Sequence, residues 1–304
     1  MGTKDITEKA LEDYNDVFAD IVNVLLFDGA DYVRQEELTE GSPYSNYTEN
    51  GKIRNQERDI YKYWNNSRIR LAAIGFENET AEESDMPLRV MSYDAAGYRA
   101  QISNGSDRRY PVVSLVLYYG YKKKWSKAKT LYDRLEVPDK LKRYVFDYGM
   151  NLFQIAYLDD ATVAKFKSDF RFVADYFVQM RKTGRYIAPD EKITHVQEML
   201  SLMSALTDDN RFSDVYEGVK GKERVSMCTV LDEIETRGIE KGIKEGIEQG
   251  IVQGIEKGIE KGIEQGRDNT LISLVHDGLL SIEVAADRAG VTLDEFKAMM
   301  KKVY

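Results

Sequence analysis

The sequence holds a single cysteine, Cys228, in 304 residues. An internal disulfide is therefore excluded, and the usage fits a reducing, cytoplasmic setting. Histidine is almost as scarce, with His195 and His276 the whole complement. A histidine-rich metal site is ruled out, and a Ser-His-Asp or Cys-His site would need one of these two, neither in a recognisable motif. No apolar run approaches the ~18 residues of a membrane span. The opening MGTKDITEKALEDYNDVF carries acids and no long apolar stretch, so it does not read as a secretory signal. Net positive charge is missing too. Lys plus Arg number 43 against 52 Asp plus Glu, a formal charge of −9, so the chain does not coat nucleic acid by charge alone.

What is present is a globular composition, 42% hydrophobic and 31% charged. Leu11, Tyr14, Phe18, Val22 and Leu25 fall at three- and four-residue steps, which predicts an amphipathic helix over 5–27 ending at Gly29. Residues 39–51 (TEGSPYSNYTENG) are turn-rich and read as a loop. RDIYKY (58–63) and IRLAAIGF (69–76) read as strands. Asn65-Asn66-Ser67 between them makes an antiparallel hairpin the simplest connection. Pro87 opens a helix running to about Ile102. RYPVVSLVLY (110–119) is nearly unbroken in apolar residues, as a strand covered on both faces should be. A further strand is expected at 150–158, and helices at 160–183 and 190–206. The order implies an α/β core followed by a mostly helical half.

The tail carries a repeat. From Gly238 to Gly266 glycine recurs every fourth residue, and isoleucine follows each of the first seven. On a helix this stripe drifts by about 40° per repeat. Eight glycines cost a lone helix roughly 1 kcal/mol each relative to alanine. The segment is expected to be marginal without something packed on its Gly/Ile face. It reads either as a spacer or as a self-association helix, the latter favoured, making the chain a homo-oligomer. Beyond it, SIEVAADRAGVTLDEFKAMM has helix-turn-helix spacing, although Asp294 and Glu295 at the second helix's start are poor groups for phosphate.

Chemistry concentrates around the hairpin. Asp59 begins its first strand and Glu77 ends its second, so the turn brings them together. Glu79, two residues on, shares the face of Glu77. Acids converging with no arginine or histidine nearby repel one another, and a hard cation such as Mg²⁺ (or Mn²⁺) makes the crowding tolerable. Such an ion activates water and offsets charge on a phosphate. On residues alone, the bland alternative is a set of solvated acids at strand ends. Lys122, Lys123, Lys124 and Lys127 cluster around Trp125. They are candidates for gripping DNA phosphates or simply a solvated loop.

These segments carry a resemblance. NGKIRNQERDIYKYW, GFENET, DMPLRVMSYDAAGYRAQI, RYPVVSLVLYYG, LYDRLEVPDKLKRYVFDYGMNLFQIAYL, FKSDFRFVADYF and MCTVLDEIETRG, with the glycine-every-four tail, resemble the recombination-promoting nuclease/putative transposase family of the PD-(D/E)XK nuclease superfamily. The resemblance implies a restriction-endonuclease-like α/β core, a mixed sheet flanked by helices, and a Mg²⁺-dependent DNA endonuclease linked to recombination and mobile elements. Asp59 and Glu77 match the acidic motif positions and would bind the metal. Glu79 stands where the superfamily has lysine, or glutamine in many members of this family, and Arg58 replaces the proline before the aspartate. Lys62 and Gln101 are supporting candidates. The implied organisation is a nuclease-like domain at 1–185, a helical extension at 186–237, the repeat helix or linker at 238–268 and a small helical segment at 269–304. The departure at Glu79 leaves a rival: a degenerate nuclease fold that binds DNA or protein without cutting. No strand-transfer domain is visible in the sequence, so a transposase proper ranks lower.

Overall fold

The computed structural model describes residues 11–41, 44–49, 52–57, 59–66, 70–103, 107–222 and 224–303, with only the backbone for 44–49, 52–57 and Leu71. The expected helix start at 5–10, Arg58 and Ser67 lie outside the described residues. Seven strands are described: β1 (Leu38–Glu40), β2 (Tyr44–Glu49), β3 (Lys52–Glu57), β4 (Ile60–Asn65), β5 (Arg70–Glu79), β6 (Val112–Tyr118) and β7 (Asn151–Gln154). The central sheet is mixed, in the order β1-β4-β5-β6-β7, while β2 and β3 form a separate antiparallel pair. β1–β4 and β4–β5 pair antiparallel, and β5–β6 and β6–β7 are parallel.

The helices are α1 (Asn15–Phe27), α2 (Met86–Ser103), α3 (Leu131–Arg134), α4 (Asp160–Val163), α5 (Phe170–Thr183), α6 (Val196–Thr207), α7 (Arg211–Asp214), α8 (Tyr216–Val219), α9 (Met227–His276), α10 (Ile282–Ala289) and α11 (Leu293–Val303). Apolar residues at helical steps put Val17, Phe18, Ile21 and Val22 of α1 fully inside, with Phe18 stacked on Phe76 of β5 at 4.4 Å. α5 and α6 join the same core through Phe170, Val173, Phe177, Met199 and Met203. Truncating Phe18 to alanine there would cost about 3–5 kcal/mol. α2 covers the opposite face. Its Met86 and Val90 pack with Val116, Tyr118 and Trp125. Gly97 lets it lie close, since a Cβ there would come within 3.0 Å of Tyr61 Oη and Val112 Cγ2. β6 is thus covered on both faces, as its unbroken apolar run predicts.

Several expectations are corrected. The turn-rich stretch 39–51 is mostly strand: β1 ends at Glu40 and β2 follows. Asn50-Gly51, the strongest short hairpin signal, separates β2 from β3 in sequence. The strand expected at 150–158 stops at Gln154 and continues as a 3₁₀ turn, Ile155–Tyr157. The helix expected at 160–183 is two, because the chain leaves helical geometry between Val163 and Phe170.

By internal contacts the chain divides between Ile234 and Glu235. Residues from Met199 to Val230 share the sheet's core, so these helices are continuous with the part that holds the sheet. In the second unit, Leu271 and Ile272 pack with Ala285, Ala286, Ala289 and Phe296. Glu295 accepts from the Thr292 amide (2.9 Å) and hydroxyl (2.7 Å), so the acid at the start of α11 serves as a helix cap.

Candidate active site

β5 exposes two different chemistries on its two faces. Asn78 faces α1, where its Nδ2 donates to the buried Glu12 carboxylate at 2.6 Å. Glu77 and Glu79 take the other face, toward α2. Ile60 pairs with Phe76, so Asp59 approaches the chain beside Glu77, and its Oδ2 accepts the Asn78 N–H at 2.7 Å. The hairpin therefore gathers the three candidate acids, Asp59, Glu77 and Glu79, at one end of β5.

The acids are not left to repel one another. Arg89, three residues into α2, donates from Nη2 to Glu77 Oε2 and from Nη1 to Glu79 Oε1, each at 3.0 Å, and also bonds Glu83. This corrects the premise that no arginine lies near. The cation that makes the crowding tolerable in this structure is a guanidinium. A detectable signal existed: a basic residue in the first turn of a helix runs against the helix dipole and asks for an acidic partner. Tyr93, one turn further along α2, also lies beside Arg89, its hydroxyl 3.4 Å from Nη2.

Burial sets the electrostatics. Glu77 is 1% exposed. Burial pushes the Glu79 carboxyl up to about 7; Arg89 opposes this, while Glu83 and Asp59 add to it by like-charge repulsion. The Tyr93 hydroxyl rises to about 12, chiefly from burial and then from Glu77. Burial works against the charge on Arg89, but Tyr93 and Glu77 outweigh it and raise its pKa.

Two supporting candidates fall away. Lys62 pairs across β4–β5 with Ile74, which puts it on the α1 face, opposite Glu77. It is fully buried, bonded to Glu40 with Asp13 at 3.9 Å. The ladder is regular from Ile60 to Trp64, so no irregularity turns Lys62 toward the acids. Gln101 is buried, but it clamps Tyr110: Nε2 donates to the Tyr110 carbonyl (3.0 Å) and Oε1 accepts the Tyr110 N–H (2.9 Å). It sits twelve residues along α2 from Arg89, about 18 Å at 1.5 Å per residue.

The lysine loop leaves the carboxyl end of β6, where Tyr118 pairs with Glu79. Lys122, Lys123, Lys124 and Lys127 are exposed. Glu82 ties the loop to the segment after β5, meeting Lys123 Nζ at 3.0 Å and accepting from the Ser126 and Lys127 amides. Trp125 anchors it from inside, edge-on to Tyr118. The basic loop and the acids therefore share one end of the sheet.

Residues 73–211 match the family model described as putative transposase, YhgA-like. The match covers less than half of the chain, and the family it resembles falls in the PD-(D/E)XK nuclease-like group. The YhgA-like match takes in Glu77, Glu79 and Arg89, and Asp59 lies outside it. No curated protein and no solved structure matches the chain. No helix among the described residues is long and apolar enough to cross a membrane.

Among the described residues, no group of three or more His, Cys, Asp or Glu side chains stands ready-arranged to hold a metal ion. The donor set nonetheless suits one. Its atoms are hard carboxylate oxygens, and Glu77 and Glu79 each lie 3.0 Å from a different nitrogen of one guanidinium. A divalent ion would take the place Arg89 now holds.

Proposed function

We propose that the chain is a divalent-metal-dependent DNA endonuclease. The observation carrying this reading is the gathering of Asp59, Glu77 and Glu79 at one end of β5, and the similarity of residues 73–211 to a nuclease-like family supports it. Asp59 and Glu77 would hold Mg²⁺ or Mn²⁺, with Glu79 as a further oxygen donor. When bound, such an ion supplies an activated water and offsets charge on the scissile phosphate. Arg89, released from the carboxylates, stays on the same face and would pair with a phosphate oxygen, for which its planar fork is suited. Lys122, Lys123, Lys124 and Lys127 would hold the DNA backbone by charge. The tail helix would carry self-association of the chain.

The test is cleavage of duplex DNA with Mg²⁺ by the wild type and by Asp59→Ala. Loss of cutting in the variant supports the assignment, and equal cutting refutes it.

A second reading is a degenerate nuclease fold that binds DNA or protein. Two observations favour it: Glu79 in place of the expected lysine or glutamine, and Arg89 already spent on the acids. Calorimetric titration separates the two readings. A working site binds Mg²⁺ or Mn²⁺ and loses that binding in Glu77→Ala, whereas a degenerate one shows no such difference.

A further inference from the structure

Between α3 and β7 the chain makes a loop whose apolar side chains face water. Phe146 is 90% exposed and Tyr144 64%, and Leu135 and Leu141 are exposed as well. Among the described residues, no large apolar side chain is more open than Phe146. Exposure alone is common on protein surfaces. What sets Phe146 apart is the bracing of the backbone that carries it.

The loop is closed at its base and pinned beneath its tip. The Leu131 N–H donates to the Tyr148 carbonyl and the Met150 N–H to the Lys129 carbonyl, each at 3.0 Å. The Tyr132 hydroxyl lies 2.8 Å from the Lys142 carbonyl and 2.7 Å from that of Val145. The Asp147 carboxylate accepts the Tyr132 N–H at 2.9 Å. Val145 and Asp147, the two neighbours of Phe146, are thus both tied to Tyr132. A 3₁₀ turn over Lys142–Tyr144 stiffens the approach. The ring is presented on a fixed backbone, which lowers the ordering cost of any contact it makes.

The foot of the loop meets the turn of α2 that carries Arg89. Arg134, the last residue of α3, pairs with Asp85, and the Asp85 carbonyl accepts the Arg89 N–H at 3.0 Å. Tyr148 packs with Met86 and Val90 of α2. The lysine loop ends at Lys129, where this one begins.

Charge says what the ring meets. Asp139 pairs with Lys142 at 2.8 Å, and Asp147 is engaged by the Tyr132 amide. The other charges between Leu135 and Asp147 are Glu136, Lys140 and Arg143, positive in balance. The Arg143 guanidinium lies 4.6 Å from the centre of the Tyr144 ring. Flat rings interleaved with cations fit a nucleic acid, whose bases stack on aromatic faces while its phosphates take the charge. The core of a protein contact is depleted in lysine. In an intact duplex the base faces are covered by their neighbours. An unpaired base offers its faces without that unstacking cost.

We infer that Phe146 stacks on an unpaired base, so that the DNA this chain engages best is a duplex interrupted by a bulge. Lys140 and Arg143 hold the phosphate chain beside that base. The inference rests on the DNA-endonuclease reading for its class of ligand, and adds the feature of the DNA that is recognised.

The test is binding of end-labelled duplexes to the full chain, read by fluorescence anisotropy with Ca²⁺ in place of Mg²⁺ so that binding is followed apart from cutting. One duplex is fully paired and the other carries a single-base bulge. The wild type should bind the bulged duplex about tenfold more tightly, the order of one aromatic–base stack. Phe146→Ala should bind both duplexes as the wild type binds the paired one. Phe146→Trp should keep the preference, and its added emission should fall on bulged DNA as the indole stacks. Because the ring is exposed, both variants should keep the wild-type urea midpoint. A wild type without preference, or a preference unchanged in Phe146→Ala, overturns the inference and leaves the nuclease reading to the Asp59→Ala cleavage test. Absence of binding to either duplex overturns both. A lower mass by light scattering in Phe146→Ala than in the wild type makes the loop a contact between copies of the chain, and also overturns the inference.

Discussion

Arg89 reaches Glu77 from the neighbouring helix at 3.0 Å, and Glu77 is 1% exposed. The acid is deep and its partner half open, so this pair couples the stability of the fold to the chemistry of the site. Removing the guanidinium strands a buried carboxylate. Arg89→Ala should lower stability by about 3 kcal/mol, near the bottom of the range for breaking a buried pair because Arg89 itself is partly solvated. Urea denaturation measures this. Mg²⁺ should recover more stability in the variant than in the wild type, since the ion no longer competes with Arg89 for the carboxylates. An equal Mg²⁺ effect in the two proteins would show that the ion and Arg89 do not share ligands.

Lys62 gives a contrasting expectation. It is fully buried on the α1 face, and its main partner Glu40 has a side chain 72% exposed. Lys62→Met keeps the volume and removes a charge from the interior, while Glu40 returns to water. Stability should hold within about 1 kcal/mol or rise, and DNA cleavage should be unchanged. A loss of cleavage at full folding would return Lys62 to the site.

These two residues show how far the sequence could be read. The hairpin and the alternation along β5 were legible: residues two apart share a face, and Glu77 with Glu79 obeyed that rule. The same rule applied to β4 excludes Lys62, because its register partner Ile74 lies on the α1 face. Arg89 was harder to see, because its partners come from a different element and no local pattern links α2 to the end of β5. Gln101 was legible as a polar residue on α2, but its use depended on where β6 begins, which only packing decides. The β2–β3 pair is masked by the turn-forming residues that dominate its stretch, and only the Asn50-Gly51 step between two short runs marks it in the sequence.

Gln101 therefore carries a stability prediction and no catalytic one. Its amide satisfies both backbone groups of Tyr110, just ahead of β6. Gln101→Ala should destabilise the chain by about 2 kcal/mol, the order expected when two hydrogen bonds to partly buried backbone groups are lost. Cleavage per folded molecule should match the wild type. A selective fall in cleavage with no change in the urea midpoint would place the residue in the site after all.

Glu82 makes the lysine loop pH-sensitive. The Ser126 amide first, then Lys123, hold its carboxyl at about 2, down from the ordinary 4.5. A folded-state value below the unfolded one means the ionised form is the one the fold favours. The stabilisation is complete above the unfolded value and fades as pH falls from 4.5 toward 2. Amide exchange at Ser126 and Lys127 should report it. At pH 6, Glu82→Ala should speed exchange at both amides relative to the wild type, while amides in β5 keep their protection. As pH falls below 4.5, the wild type should converge on the variant. If the two remain equally far apart down to pH 2, the Glu82 carboxylate is not what ties the basic loop to the end of the sheet.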